Sequence, residues 1–291
     1  MIPASFDYLA PTSVAEALAA LAEHGDDAKV LAGGQSLLPV LRMRLNAPEV
    51  VVDIGHIDEL RGIRDDGDAI FIGALTTHHE VIADPLVKEH ALVLHKAAVE
   101  VADAQIRHRG TLGGALAHAD PAGDLGAPIL ALDAELVITG TGGERRVPAA
   151  EFFTDLFETA VGDDELLTAI RIPKHTGWGA AYLKFVRIAH QWPIVAVAAT
   201  VSPDKSQAAV GLTNMGSTPL RASAVEEALG GELTAESVRR AADQAADGTN
   251  PPSDLNGDSD YRRHLAKVLT RRALLEAAGL DDGTKQEKGA A

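Results

Sequence analysis

The chain has 291 residues, 46% of them hydrophobic, with no cysteine and a formal net charge of −16. That length fits two or three compact units with real cores, while the acidic balance argues against a general nucleic-acid binder, whose phosphates such a surface repels. Without cysteine the chain holds no disulfide, zinc–thiolate site or cysteine-ligated iron–sulfur cluster, so any electrons it handles must ride on an organic cofactor or another polypeptide. Apolar runs such as Ile194–Val201 and Ala127–Leu132 fall far short of the roughly 20 residues that span a bilayer, and the amino terminus shows no basic-plus-apolar signal. A cytoplasmic location without a transmembrane segment is expected.

Thr12-Ser13 precedes an alanine-rich helix over 14–22, with Glu16 at capping-box spacing from Ser13 and Gly25 to close it. Lys29–Ala32 reads as a short buried strand and Gly33-Gly34 as a turn. Ser36 is the expected cap of a helix over Leu37–Leu45, where Pro39 falls in the tolerant first turn. Val50–Ile54 and Ala69–Gly73 are β-branched runs predicted as strands. A helix pair, Leu86–Lys96 and Ala97–Ala104, leads into Gln105–Gly110. There Thr111-Leu112-Gly113-Gly114 opens a loop expected to end at Asp124, the predicted N-cap of a helix over Leu125–Leu132.

A hairpin over Leu136–Thr139 and Arg145–Val147 follows, then a strand Leu167–Ile172 stopped by Pro173. Lys174–Gly179 is the expected domain boundary. Beyond it Ala180–Ile188, Ile194–Val201 and Ala208–Met215 predict an antiparallel meander, followed by helices Ser223–Leu229, Ala235–Ala246 and Arg262–Ala278. Asp247–Asp260 reads as a loop and Asp281–Ala291 as a frayed tail. In the last helix Leu265, Val268, Leu269 and Leu275 form the apolar side. Arg262, Arg263, Lys267, Arg271 and Arg272 read as a solvated basic face or a docking face for an acidic partner.

The chemistry is concentrated in Ala32-Gly33-Gly34-Gln35-Ser36 and Thr111-Leu112-Gly113-Gly114. Neither is the GxGxxG of a Rossmann unit, and no GxxxxGK[ST] loop is present. A diphosphate can nevertheless be cradled by main-chain N–H groups at a glycine turn before a helix, because glycine carries no Cβ to hold the backbone away. Either pair alone reads first as an ordinary tight turn. Two of them, with Lys29 close to the first, suggest a shared dinucleotide site. His118, Asp120 and Asp124, even with His78, His79 and His108, lack a metal-site spacing and fit polar contacts or turn capping instead. Ser36 lies in no GxSxG elbow, so no hydrolytic triad is expected. Asp53 reads as a turn cap or a polyol ligand, Tyr182 as core, and Trp192 beside Pro193 as packing or as a stacking surface for a planar ligand.

The segments Lys29–Pro39 and Gln105–Asp124 resemble the FAD-binding medium subunits of the molybdenum hydroxylases, and among them the flavoprotein subunits of aerobic carbon monoxide dehydrogenases. The likeness continues through Val51–Ile54, Ile57–Leu60, Ile70–His78, Glu165–Pro173 and Ser217–Ala222. It implies an α+β chain: a vanillyl-alcohol-oxidase-type (PCMH-type) FAD-binding domain of two α/β subdomains, and a C-terminal domain with a three-stranded antiparallel sheet and a helical bundle. The expected boundaries are 1–177 for the FAD domain (subdomains about 1–55 and 56–177), 178–280 for the second domain and 281–291 for the tail.

By the same resemblance FAD, bound non-covalently, lies along Lys29, Val30, Leu31, Ala32, Gly33, Gly34, Gln35, Ser36 and Leu37 and along Thr111, Gly113, Gly114 and Ala115. His118 and Asp124 fall near the ribityl and phosphate region, and Leu167, Lys184 and Trp192 near the flavin. No catalytic acid or base and no metal ligand is expected in this chain. The molybdenum cofactor belongs to a large subunit and the [2Fe–2S] clusters to a small one, in a dimer of heterotrimers that passes electrons from FAD to a quinone or other acceptor. Peripheral attachment at the inner face of the membrane would come through the complex. Carbon monoxide is the expected substrate. The alternatives are a related hydroxylase of an aldehyde, purine or N-heterocycle, a free-standing flavin oxidase, and a scaffold that has lost its flavin.

Overall fold

The computed structural model describes residues 2–231 and 233–282. Its first layer comprises β1 (Asp7–Leu9), α1 (Val14–His24), β2 (Ala28–Leu31), α2 (Leu37–Met43) and β3 (Val50–Asp53), with a parallel sheet in the order β1-β3-β2. Val50, Val51 and Val52 are all buried, as a middle strand covered on both faces requires, and α1 lays Ala17, Leu18 and Leu21 against this layer. Ser13 caps α1 through the Glu16 N–H, whereas the Glu16 carboxylate answers Thr12, one residue earlier than the predicted box. Ser36 makes no side-chain cap on α2. That helix stops at Met43 because Arg44 turns left-handed (φ 58°) and the Leu45 N–H returns to the Val40 carbonyl.

The second layer contains β4 (Ile63–Asp66), β5 (Ala69–Gly73), α3 (His78–Ala83), α4 (Pro85–His90), α5 (Leu92–Glu100), α6 (Ala104–Arg107), α7 (Leu112–His118), α8 (Gly126–Ala131), β6 (Glu135–Gly140), β7 (Gly143–Pro148), α9 (Ala149–Phe152), β8 (Phe153–Asp155), β9 (Glu158–Thr159) and β10 (Glu165–Pro173). Its antiparallel sheet runs β4-β5-β10-β6-β7, and β8-β9 form a small separate hairpin. The predicted helix pair breaks at Ala91 rather than after Lys96. Asp84 caps α4 by accepting from the Leu86 and Val87 N–H groups, with Pro85 in the first turn. The expected loop from Thr111 to Asp124 is also corrected: its first part is α7, opened by Thr111, whose hydroxyl accepts from the Gly114 N–H.

The third layer holds β11 (Gly179–Phe185), β12 (Val195–Val201), β13 (Ala208–Thr213), the two-residue β14 (Leu220–Arg221), α10 (Ser223–Leu229), α11 (Ala235–Ala242) and α12 (Ser259–Ala277). Three long antiparallel strands carry the sheet and β14 extends it by one short edge. Every residue of β12 is buried, and its alternation divides the work. Val195, Val197, Ala199 and Val201 join the core under the three C-terminal helices, while Ala196 and Ala198 join the core of the second layer. Small residues are needed on that second face. At Gly211 a Cβ would overlap the Ala127 carbonyl, so β13 lies directly on the backbone of α8. The whole chain is thus α+β, and its second and third layers share one continuous core.

Arg262 departs from its predicted place on a solvated face. Its side chain is 1% exposed, donates to the Ile194 carbonyl and pairs with Asp254 at 2.8 Å. Replacing it with methionine should cost about 2 kcal/mol, because the charged bond to the Ile194 carbonyl and the pair with Asp254 are lost and only the longer Asn214 amide bond to that carbonyl remains, read as a lowered urea midpoint with an unchanged slope.

Candidate functional site

A cavity of about 460 Å³ opens where the first layer meets the second, a size within the range of small-molecule sites. The segment between β2 and α2 forms one wall, and the start of α7 with Gly110 forms the facing one. The N–H groups of Gly33, Gly34, Gln35 and Ser36 have no acceptor among the described residues, and Gln35 turns its own amide back to the Gly33 carbonyl. Four consecutive free donors bordering one cavity make a cradle for an anion.

The facing segment works differently from expectation. Four of its N–H groups are spent inside the protein: Leu112 donates to the Thr76 carbonyl, Gly113 to Ala74, Gly114 to the Thr111 hydroxyl and Ala115 to the Thr111 carbonyl, which leaves the Thr111 N–H without an acceptor among the described residues. Its glycines serve close packing, since a Cβ on Gly113 would lie 2.7 Å from the Ala74 oxygen. Gly33 has the same constraint across the cavity floor. A Cβ there would overlap the Arg109 carbonyl and stand 2.8 Å from the Gly110 Cα. The glycines draw the two walls together, and the open donors are those of the first segment with the Thr111 N–H of the second.

Of the residues expected to hold a dinucleotide, Lys29, Val30, Ala32 to Leu37, Thr111, Gly113, Gly114, Ala115, His118 and Leu167 all line this cavity. Leu31 does not; its side chain lies beneath Gly34. Asp124 and Lys184 lie outside the lining, as a buried pair 2.8 Å apart. The Tyr182 hydroxyl donates to the other Asp124 oxygen at 2.7 Å, and Lys184 also donates to the Glu100 carbonyl. Asp124 therefore does not cap α8. Both its oxygens are taken by side chains of β11, and those charge-assisted bonds replace the predicted cap. Burial pushes the Asp124 carboxyl up against the opposing pull of Lys184, and burial with the neighbouring Asp124 pushes the Tyr182 phenol up.

Trp192 is 66% exposed on the loop between β11 and β12, away from the cavity lining, in a segment tied at its base by the Ile194 N–H to the Phe185 carbonyl. Asp53 takes the turn-cap role, accepting from the Gly55 N–H and from the Tyr8 hydroxyl.

The sequence reading did not select Asn46, Ala74, Leu75, His78 or Glu165, which also line the cavity. Glu165 is held by Arg145 at 2.6 Å, which keeps its carboxyl below the usual range. His78 is 4% exposed, and burial, helped by Arg107, lowers its pKa from 6.5 to about 4. A signal for it was present, because Thr77 and Glu80 form a capping box that sets His78 at the first position of α3. Since this histidine must stay neutral when folded, its share of stability is complete above pH 6.5 and is lost as pH falls toward 4. His78→Phe should remove up to about 3 kcal/mol of acid sensitivity over that window, read from urea unfolding at several pH values.

Comparison with known proteins agrees with this geometry. The family model described as FAD binding domain in molybdopterin dehydrogenase matches residues 4–175, and that of the CO dehydrogenase flavoprotein C-terminal domain matches residues 180–277. The chain is 41% identical over 281 residues to the carbon monoxide dehydrogenase medium chain of Hydrogenophaga pseudoflava, covering 94% of this chain and 97% of that one. It is 35% identical to the glyceraldehyde dehydrogenase medium chain of Sulfolobus acidocaldarius, covering 96% and 100%. The solved carbon monoxide dehydrogenase from Hydrogenophaga pseudoflava, in a form lacking the Mo-pyranopterin moiety, matches with a TM-score of 0.93 and 42% identity, over 96% of this chain and 99% of that one. With both family models and whole-length relatives in agreement, the chain belongs to the FAD-binding medium subunits of the molybdenum hydroxylase family.

Proposed function

We propose that this chain is the FAD-carrying electron-transfer subunit of a molybdenum hydroxylase of the carbon monoxide dehydrogenase type. The observation that carries this reading is the row of free N–H donors at Gly33 to Ser36, set in a cavity between two layers that glycines hold in contact. These residues fit a diphosphate: the donors take its oxygens, and Lys29 adds a cation nearby. Bound FAD supplies the redox chemistry. The protein's own part is to hold and orient it and to limit water, using Leu37, Val40, Leu75, Leu166 and Leu167 as apolar walls. We assign no acid or base catalyst to this chain.

The partners in this reading are a large molybdenum-containing subunit and a small [2Fe–2S] subunit, arranged as a dimer of heterotrimers, with a quinone or other acceptor taking the electrons. The absence of cysteine supports it, since the clusters must then lie elsewhere. No helix among the described residues is long and apolar enough to cross a membrane, so any attachment at its inner face is through the complex. The proposed domains are 1–177 and 178–280. The test is anaerobic reduction of the assembled complex. Carbon monoxide should bleach the flavin bands at a saturating rate while glyceraldehyde does not. Bleaching by glyceraldehyde or an N-heterocycle, with none by carbon monoxide, would move the chain to a sister hydroxylase.

A further inference from the structure

His78 is the one histidine that lines the cavity from a fully buried position, and its ring makes no hydrogen bond. Its Nδ1 is sealed in protein without a partner. A buried orphan N–H is rarer in native proteins than a buried bare acceptor, which puts the proton of the neutral ring on Nε2. Nε2 sits under Gly110, within 3.0 Å of where a Cβ on that glycine would stand. The His78 N–H is bonded to the Gly110 carbonyl at 3.0 Å, and the Thr77 cap fixes the start of the helix, so the ring has little freedom to turn elsewhere.

Gly110 is also the residue against which Gly33, the first of the four free donors, is packed. The imidazole and the donor row therefore converge from opposite walls on the same stretch of cavity. Nε2 has no partner among the described residues and, unlike Nδ1, is not sealed off from the cavity, so an acceptor lying on that stretch would complete it.

Resting on the reading that this cavity holds FAD, we propose that His78 is a cofactor-binding residue that donates from Nε2 to a diphosphate oxygen, completing from the second wall the cradle built by Gly33 to Ser36. The cation near the ring is Arg107, which is turned away to the Val101 and Ala102 carbonyls, so His78 is the side chain positioned for this role from α3.

The experiment titrates the full chain with FAD, with ADP and with riboflavin, for wild type, His78→Phe and His78→Gln, with the unliganded melting temperature as the fold control. Loss of one charge-assisted bond should weaken FAD and ADP about 10- to 100-fold in His78→Phe and leave riboflavin unchanged. His78→Gln, which keeps an N–H donor, should restore part of the loss. Because the phenylalanine variant can fail to fold, nitrogen NMR of histidine-labelled wild type provides the second reading, and its His78 Nε2 resonance should move on saturation with ADP. Equal FAD and ADP affinity in folded His78→Phe, or an unmoved Nε2 resonance, overturns this inference while leaving the FAD site standing. A wild-type chain that binds neither FAD nor ADP overturns both.

Discussion

Gly33→Ala should remove flavin from the protein almost as completely as Gly33→Val and destabilise the fold by about 3 kcal/mol or more. The reason is geometric. The first added carbon already overlaps the Arg109 carbonyl and comes 2.8 Å from the Gly110 Cα, and both are main-chain atoms that cannot swing aside. The walls must part, and with them the row of donors at Gly33 to Ser36 loses its facing surface. If glycine were needed only to leave room for the diphosphate, alanine would be milder than valine. Gly142→Ala is the control, because a Cβ there meets nothing within 4 Å, and it should stay within about 0.5 kcal/mol of wild type. Flavin content after gel filtration and urea unfolding decide the matter; a flavin-replete Gly33→Ala protein of normal stability would refute it.

Lys184→Met should cost about 3–5 kcal/mol at neutral pH, because it leaves the Asp124 carboxylate buried without its counter-charge. The pair ties β11 to the loop before α8, and its loss loosens the junction between the second and third layers. Asp124 already has its pKa raised by burial, so an unopposed Asp124 titrates higher still. An acid whose folded pKa lies above its unfolded value of 3.8 stabilises the fold fully only below that value, and the gain disappears as pH rises through the folded pKa. The deficit of Lys184→Met relative to wild type should therefore shrink on acidification. The His78 contribution runs the opposite way but is common to both proteins and cancels in the difference. Adding Asp124→Asn should return part of the stability. A deficit independent of pH would mean that the pair is not carried as charges.

Much of the fold could be read from local pattern. The Ile194–Val201 run announced β12 as a strand of an antiparallel meander, and the helix expected over Ser223–Leu229 is α10. What escaped was structure set by distant partners. β1, β4, β8 and β9 are short and have no strong alternation of their own; pairing with neighbouring strands makes them strands. The helix α7 was hidden because two glycines in a row read as loop, whereas the Thr111 cap and the packing of Gly113 on Ala74 hold it. Arg262 looked like part of a basic helix face, and only the fold brings the Ile194 carbonyl and Asp254 to it.

The candidate site divides in the same way. Gly33 to Ser36 could be read as a cradle because free donors at a turn before a helix are a local property. The purpose of the facing glycines, the pairing of Asp124 with Lys184 and Tyr182, and the burial of His78 all depend on contacts between layers.

The measurement that tests the account most directly is the flavin and subunit content of the complex isolated gently from its native host. The account predicts one FAD for each copy of this chain, released only on unfolding, together with iron–sulfur absorbance and two further chains. A complex in which this chain carries no flavin would contradict it, as would a yellow protein that contains this chain alone.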